Sequence, residues 1–206
     1  MTKATLTVWR GARTEKKILF ISKRASERPN LWEISADGGE PNRLTGGKFH
    51  NVLPAWSPDG QTIYFKSNRS GENQLYKIPA DGSNEPLQMT KNGAFQSFAA
   101  PDRNTVFYSK GGGANGLWSI RTDGIEEFPV PQLADAGYWR SWTLVPQGIY
   151  YLTQNSSDAE YEIRFYDFTT KQNRVVVTVD KPPLTFYSGL SASADEKQIL
   201  YAQSDR

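Results

Sequence analysis

Apolar and polar positions alternate with a two-residue period over short runs, and dipeptides suited to tight turns separate the runs along the whole chain. The clearest stretch is Pro54-Ala55-Trp56-Ser57-Pro58-Asp59-Gly60-Gln61-Thr62-Ile63-Tyr64-Phe65-Lys66-Ser67-Asn68. It reads as strand, tight turn, strand. Pro58 pre-sets φ, Asp59 bonds its own backbone, and Gly60 takes a positive φ. Beyond the turn, Ile63 and Phe65 fall on one face of a strand and Tyr64 and Lys66 on the other. No stretch carries the 3.6-residue period of helical repeats.

The unit recurs. Strands following each turn begin at Ile18, Ile63, Val106, Ile149 and Ile199, spaced 43 to 50 residues apart, and an aromatic follows two residues later at Phe20, Phe65, Tyr108, Tyr151 and Tyr201. A further short strand opens at Leu31-Trp32, Leu75-Tyr76, Leu117-Trp118 and Ile163-Arg164. Hairpin signals come next, at Asp37-Gly38, Asp81-Gly82 and Asp123-Gly124, with Thr169-Thr170 in the fourth copy. Closing strands such as 42–45 and 86–90 complete the period. Four short antiparallel strands every ~40–45 residues define an all-β chain of β-propeller blades. A sandwich would not repeat its turns at fixed offsets.

The expected blades are residues 1–47, 49–93, 94–136, 137–181 and 182–206, about four and a half to five in all. The turn of the third, Ala100-Pro101-Asp102-Arg103, puts arginine in place of glycine, and that of the fifth is Ser193-Ala194-Asp195-Glu196. The first fits worst: Ala12-Arg13-Thr14-Glu15 occupy its turn positions with neither proline nor glycine. Either its inner strand is degenerate or the natural polypeptide begins further upstream. The fifth stops before its two outer strands, which would leave unpaired edges. The expectation is a segment of a longer protein whose ring closes with blades outside this stretch.

Composition narrows the chemistry. With 24 Lys+Arg against 22 Asp+Glu, the net charge of +2 is not the basic stripe that duplex binding needs, so direct nucleic-acid binding is not expected. There is no cysteine, which removes disulfides, thiolate metal sites and a cysteine nucleophile. No run of 18 apolar residues is present, so no membrane insertion is expected. His50 is the only histidine and sits in the link between the first two blades, where a polar loop residue is the simplest reading. A Ser-His-Asp hydrolase would need it beside a serine on a Gly-x-Ser-x-Gly elbow, and that motif is missing. The run Gly111-Gly112-Gly113-Ala114-Asn115-Gly116 leads into a strand rather than a helix, unlike a phosphate loop. The acidic loop 157–162 lacks the alternating ligands and turn glycine of a calcium loop. No cofactor, metal or catalytic residue is expected.

The structural repeat residues are Trp56, Ser57, Pro58, Asp59 and Gly60, the pairs Asp37-Gly38, Asp81-Gly82 and Asp123-Gly124, and Pro101 with Asp102. Trp32, Trp56 and Trp118 are read as packing between blades. Tyr138-Trp139-Arg140-Ser141-Trp142 departs from the pattern, on the inner strand of the fourth blade. Tyr138, Trp139, Arg140 and Trp142 are therefore the candidate residues for binding a protein, peptide or small ligand, by stacking and charge-assisted hydrogen bonds. Inter-blade packing with a capping arginine is the competing reading of the same residues.

Trp56-Ser57-Pro58-Asp59-Gly60, followed by Leu75-Tyr76 and Asp81-Gly82, resembles the WD40-like PD40 repeat of TolB-like propellers over residues 17–206. The landmarks 91–95, 116–120, 148–152 and 188–193 look like the C-terminal half of the six-bladed propeller found behind winged-helix or kinase domains in bacterial regulators. That resemblance implies a non-catalytic sensing or docking module. The alternatives are a propeller associated with a peptidase or hydrolase domain, and a TolB-like periplasmic envelope protein, which would need an upstream export signal. A cytoplasmic setting is the expectation without such a signal.

Overall fold

A computed structural model describes residues 7–9, 16–24, 26–111, 116–124, 126–136, 140–154, 160–181, 189–193 and 195–203 of the 206-residue chain. The chain divides into two compact units, Met1–Tyr108 with Ile120–Glu127, and Ser109–Ser119 with Phe128–Arg206.

The hairpin signals place the strands. In the first unit, β1 (Thr7–Trp9), β2 (Lys17–Ser22), β3 (Asn30–Ser35) and β4 (Asn42–Arg43) form one sheet. Next, β5 (Asn51–Trp56), β6 (Thr62–Ser67), β7 (Gln74–Pro79) and β8 (Leu87–Gln88) form a second. In both, each strand pairs antiparallel with the next in chain order. A third four-stranded sheet is made of β9 (Ser97–Ala99), β10 (Thr105–Ser109), β11 (Leu117–Arg121) and β12 (Glu127–Pro129). The second unit adds β13 (Trp142–Val145), β14 (Gly148–Gln154), β15 (Tyr161–Asp167) and β16 (Asn173–Val179) as a meander, then the pair β17 (Leu190–Ala192) and β18 (Ile199–Tyr201). This is the all-β architecture of four-stranded antiparallel blades that the repeat predicts.

The degenerate first turn does not abolish its strand: Thr7, Val8 and Trp9 pair with Ile21, Phe20 and Leu19. Another departure lies in β5. Pro54 has no N–H for the ladder, and the register shifts between Val52 and Ala55, with Leu53 at φ 55°. The bulge lets a proline sit within a paired strand.

Burial follows the period. Phe65, Tyr108 and Tyr151, at the repeat's aromatic position, are fully buried, as are Ile63, Val106 and Ile149 two residues before them. In the first unit, Leu19, Leu31 and Leu44 of the first sheet pack with Trp56, Ile63, Phe65, Tyr76 and Ile78 of the second. In the second unit, Val145, Tyr150, Leu152, Ile163, Phe165 and Val179 pack with Leu190 and Ala192. Gly148 is required by close approach: an added Cβ would stand 2.0 Å from the Tyr166 carbonyl oxygen and 2.6 Å from the Phe165 ring. The outermost strand β16 differs from its two-residue counterparts β4 and β8, running seven residues with Val175 and Val177 about half exposed.

Candidate functional site

The Pro-Asp-Gly turn is a small hydrogen-bonded structure, and it repeats. Ser57 Oγ donates to Asp59 Oδ1 at 2.6 Å, which also accepts the Gln61 N–H at 3.0 Å, while Ser57 Oγ accepts the Thr62 N–H at 2.9 Å. Around Asp195 the same bonds recur: Ser193 Oγ to Asp195 Oδ1 at 2.7 Å, and the Gln198 N–H to Ser193 Oγ at 3.0 Å. Asp102, preceded by alanine instead of serine at the first position, accepts the Asn104 and Thr105 N–H groups at 2.8 and 2.9 Å. These donors hold the Asp59 carboxyl below the usual carboxylate range, the Ser57 hydroxyl contributing most. The second set of turns is equally local. Asp81 Oδ1 accepts the Ser83 N–H at 2.9 Å, Gly38 and Gly82 stand at φ 93° and 71°, and Asp123 pairs in bidentate fashion with Arg121 at 3.0 and 3.1 Å. Turn bonds occupy Asp59, Asp81, Asp102 and Asp195, while Asp123 is taken up by the Arg121 guanidinium.

A cavity of about 520 Å³ opens beside the first of these turns, lined by Asp59, Tyr64, Lys77, Glu85 and Arg103 among others. Burial, then the Asp59 charge, push the Tyr64 phenol up to about 12, so it remains a proton donor at neutral pH. Lys77 Nζ donates to the Thr122 carbonyl at 2.6 Å. The lining offers charges of both signs, and its serine–carboxylate contact, Ser57 to Asp59, is the turn bond described above.

Of the candidate binding residues, Tyr138 and Trp139 lie outside the described residues. Arg140 is half-buried and left-handed at φ 69°, an uncommon conformation for a side chain with a Cβ. Its carbonyl accepts the Leu190 N–H at 3.3 Å, and desolvation lowers its guanidinium pKa. Trp142 opens β13, opposite Tyr151, and is fully buried. Its ring does not reach solvent. Trp32 and Trp56 are buried, with Arg24 and Arg43 stacked 5.4 and 5.9 Å from the Trp32 ring centroid. Trp118 is half-buried beneath the Lys110 ammonium, 3.3 Å from its ring centroid.

Sequence reasoning missed a buried polar latch. The Thr45 hydroxyl accepts the Leu31 N–H at 3.0 Å and donates to Asn30 Oδ1 at 3.2 Å. One period on, the Thr90 hydroxyl accepts the Leu75 N–H at 2.9 Å and donates to Gln74 Oε1 at 2.8 Å. A polar amide one residue before each Leu-aromatic pair, with threonine 15 or 16 residues later, was the available signal. It also missed the basic side chains gathered around His50.

Repeated four-stranded antiparallel blades, locked by Asp-centred turns, define this chain as a β-propeller protein. It belongs to the TolB beta propeller domain family (PD40), whose model matches residues 13–180. Among relatives, the Tol-Pal system protein TolB of Anaeromyxobacter sp. strain K is 39% identical over 119 residues, covering 54% of this chain and 27% of that protein. An uncharacterized protein of Agrobacterium fabrum strain C58 is 34% identical over 83 residues, covering 40% of this chain and 28% of its own length. The chain thus matches little more than a quarter of either relative. Among solved structures, TolB from Acinetobacter baumannii superposes with a TM-score of 0.76 at 18% identity, over 97% of this chain and 49% of that one. A puromycin-hydrolyzing peptidase of Mycobacterium tuberculosis gives 0.62 at 13% identity, over 94% and 31%. Likeness at that identity concerns the fold alone. Among the described residues, no helix is long and apolar enough to cross a membrane.

Proposed function

We propose that this chain is a non-catalytic binding module, the sensing or docking part of a larger bacterial transcriptional regulator or signalling protein. Membership of the TolB beta propeller family carries the reading. The turns support it too: their aspartates are engaged in backbone bonds, which leaves a rigid scaffold on which loops vary. The sole histidine points the same way, because its Nε2 faces the Arg28 guanidinium and not a serine or carboxylate. Tyr138, Trp139, Arg140 and Trp142, the last of them fully buried, are the proposed contact residues for a protein, peptide or small ligand. Arg140 adds a left-handed backbone, a conformation it shares with Leu53, Arg103, Lys171 and Glu196 and one that can be retained where it serves a site.

The test is capture from a bacterial lysate on the immobilised 206-residue chain, in parallel with its Arg140→Ala variant. The expected outcome is a partner retained by the wild type and lost by the variant, with melting temperatures within about 2 °C of each other. A large drop in melting temperature would instead give Arg140 a packing role, and turnover of a peptide or glycoside by the purified chain would overturn the non-catalytic reading. A second reading is favoured by the relatives' names: an envelope protein acting beside a Tol-Pal system. Open reading frames extended on both sides separate the two, by an export signal or by a winged-helix or kinase domain upstream.

A further inference from the structure

His50 lies where loops from several strands of the first unit meet. Its Nε2 is 2.8 Å from Arg28 Nη1. A guanidinium only donates, so Nε2 is the acceptor and the imidazole is neutral with its proton on Nδ1. The His50 backbone N–H is anchored on Asn68 Oδ1 at 2.8 Å. Arg28, just before β3, contacts the ring, and the charges of Lys23, just after β2, and Lys66, on β6, act on it from nearby segments. Lys66 is half-buried, with its ammonium 4.7 Å from the Phe95 ring centroid. Among the described residues, none of these three cations has a carboxylate partner, the ion pairs being made by Lys17, Arg121, Arg164 and Lys197. Glu27, beside Arg28 in sequence, is exposed and makes no ion pair among the described residues.

Three cations drawn from separate segments around one neutral imidazole repel one another, and at close range each pair costs free energy that a shared counter-charge would reverse. We propose that Lys23, Arg28, His50 and Lys66 form an oxyanion-binding site, taking the carboxylate or phosphate group of a ligand. Arg28 supplies a planar fork of donors and the two lysines supply point charges. With the anion in place the positive potential at the imidazole falls. His50 then takes a proton from solvent more readily and becomes a further donor. Burial and the three cations hold the His50 pKa below its ordinary value in the free protein, so this change has room to occur. The inference goes beyond the proposed docking role and stands whether or not Arg140 contacts a partner.

The single histidine makes the test direct. The His50 Cε1–H resonance of the intact chain is titrated by NMR at constant ionic strength in chloride, then with 10 mM sulfate and separately with a capped hexaglutamate peptide. The expected result is a midpoint below about 6.5 in chloride, rising by about 0.5 unit or more with either oxyanion. In Arg28→Gln the rise disappears, and the exposed Lys23→Gln, which should fold normally, weakens apparent affinity about threefold or more. Preference for sulfate identifies a phosphoryl-type ligand, and preference for the peptide an acidic protein segment; both support the site. A midpoint that stays the same in all three solutions, or an equal rise in Arg28→Gln, would overturn it.

Discussion

The residue after each turn aspartate shows how far side-chain chemistry bends to backbone geometry. Gly60, Arg103 and Glu196 occupy equivalent places at φ 71°, 61° and 57°. For an L-residue this region costs roughly 1 kcal/mol, which glycine avoids. Arg103 and Glu196 are tolerated because the turn closes regardless: the Ala100 and Ser193 N–H groups each find the carbonyl five residues on, at 2.8 and 2.9 Å. Replacing Gly60 with alanine should therefore destabilise by about 1–2 kcal/mol, whereas Arg103→Gly should be neutral or stabilising by up to about 1 kcal/mol. Urea midpoints at unchanged m-value measure both; a loss on Arg103→Gly would mean that the arginine side chain holds the turn. The Asp at fixed offset was legible in all three copies, including the two without glycine. Arg140 shares the left-handed conformation, but no turn motif around it announced that, so only its aromatic neighbours drew attention to the segment.

At the scale of elements, strands and hairpins were readable because period-two alternation and turn dipeptides are local signals. The latches that close the outer strands were not, since each joins residues 14 to 16 apart through a buried hydroxyl. Their energetics make a clear prediction. Thr90 is fully buried, its hydroxyl serving both the Leu75 N–H and Gln74 Oε1, and Gln74 Oε1 also accepts the Gly93 N–H at 3.0 Å. Thr90→Val keeps the volume but leaves the Leu75 N–H without its acceptor, which should cost about 1–3 kcal/mol. Thr90→Ser, which retains the hydroxyl, should recover much of that loss. If valine proves as stable as serine, the latch contributes packing alone. The bulge at Leu53 was hidden for a related reason: a proline in an apolar run reads as strand start or strand end, and only pairing reveals an extra residue.

At the scale of the whole molecule, the turns couple stability to pH. Hydrogen bonds hold the carboxyls of Asp59, Asp81, Asp123, Asp167 and Asp195 below their usual range, the leading donors being Ser57, Ser83, Arg121, Thr170 and Ser193 respectively. A carboxyl with a folded pKa below its unfolded value stabilises fully above the unfolded value near pH 4, and that contribution is lost as pH falls through the folded value. Since these turns recur in both units, acid should weaken each of them. Glu196 works in the opposite sense, its carboxyl raised by burial, but it is a single group. His50 adds a milder effect at higher pH. Its lowered folded pKa means that the unfolded chain binds the proton first, so stability begins to erode as pH drops below about 6.5. Melting followed by circular dichroism should thus give a plateau from pH 8 to about 6.5, a shallow decline below it and a steep fall below about pH 4. His50→Gln should remove the shallow segment and leave the steep one. Asp59→Asn should lower the plateau and soften the acid limb, because a neutral amide accepts the Ser57 and Gln61 bonds more weakly at every pH. A curve flat down to pH 3 would mean that the turn bonds contribute equally to the unfolded chain, and the repeat's stability would then rest on its apolar layers alone.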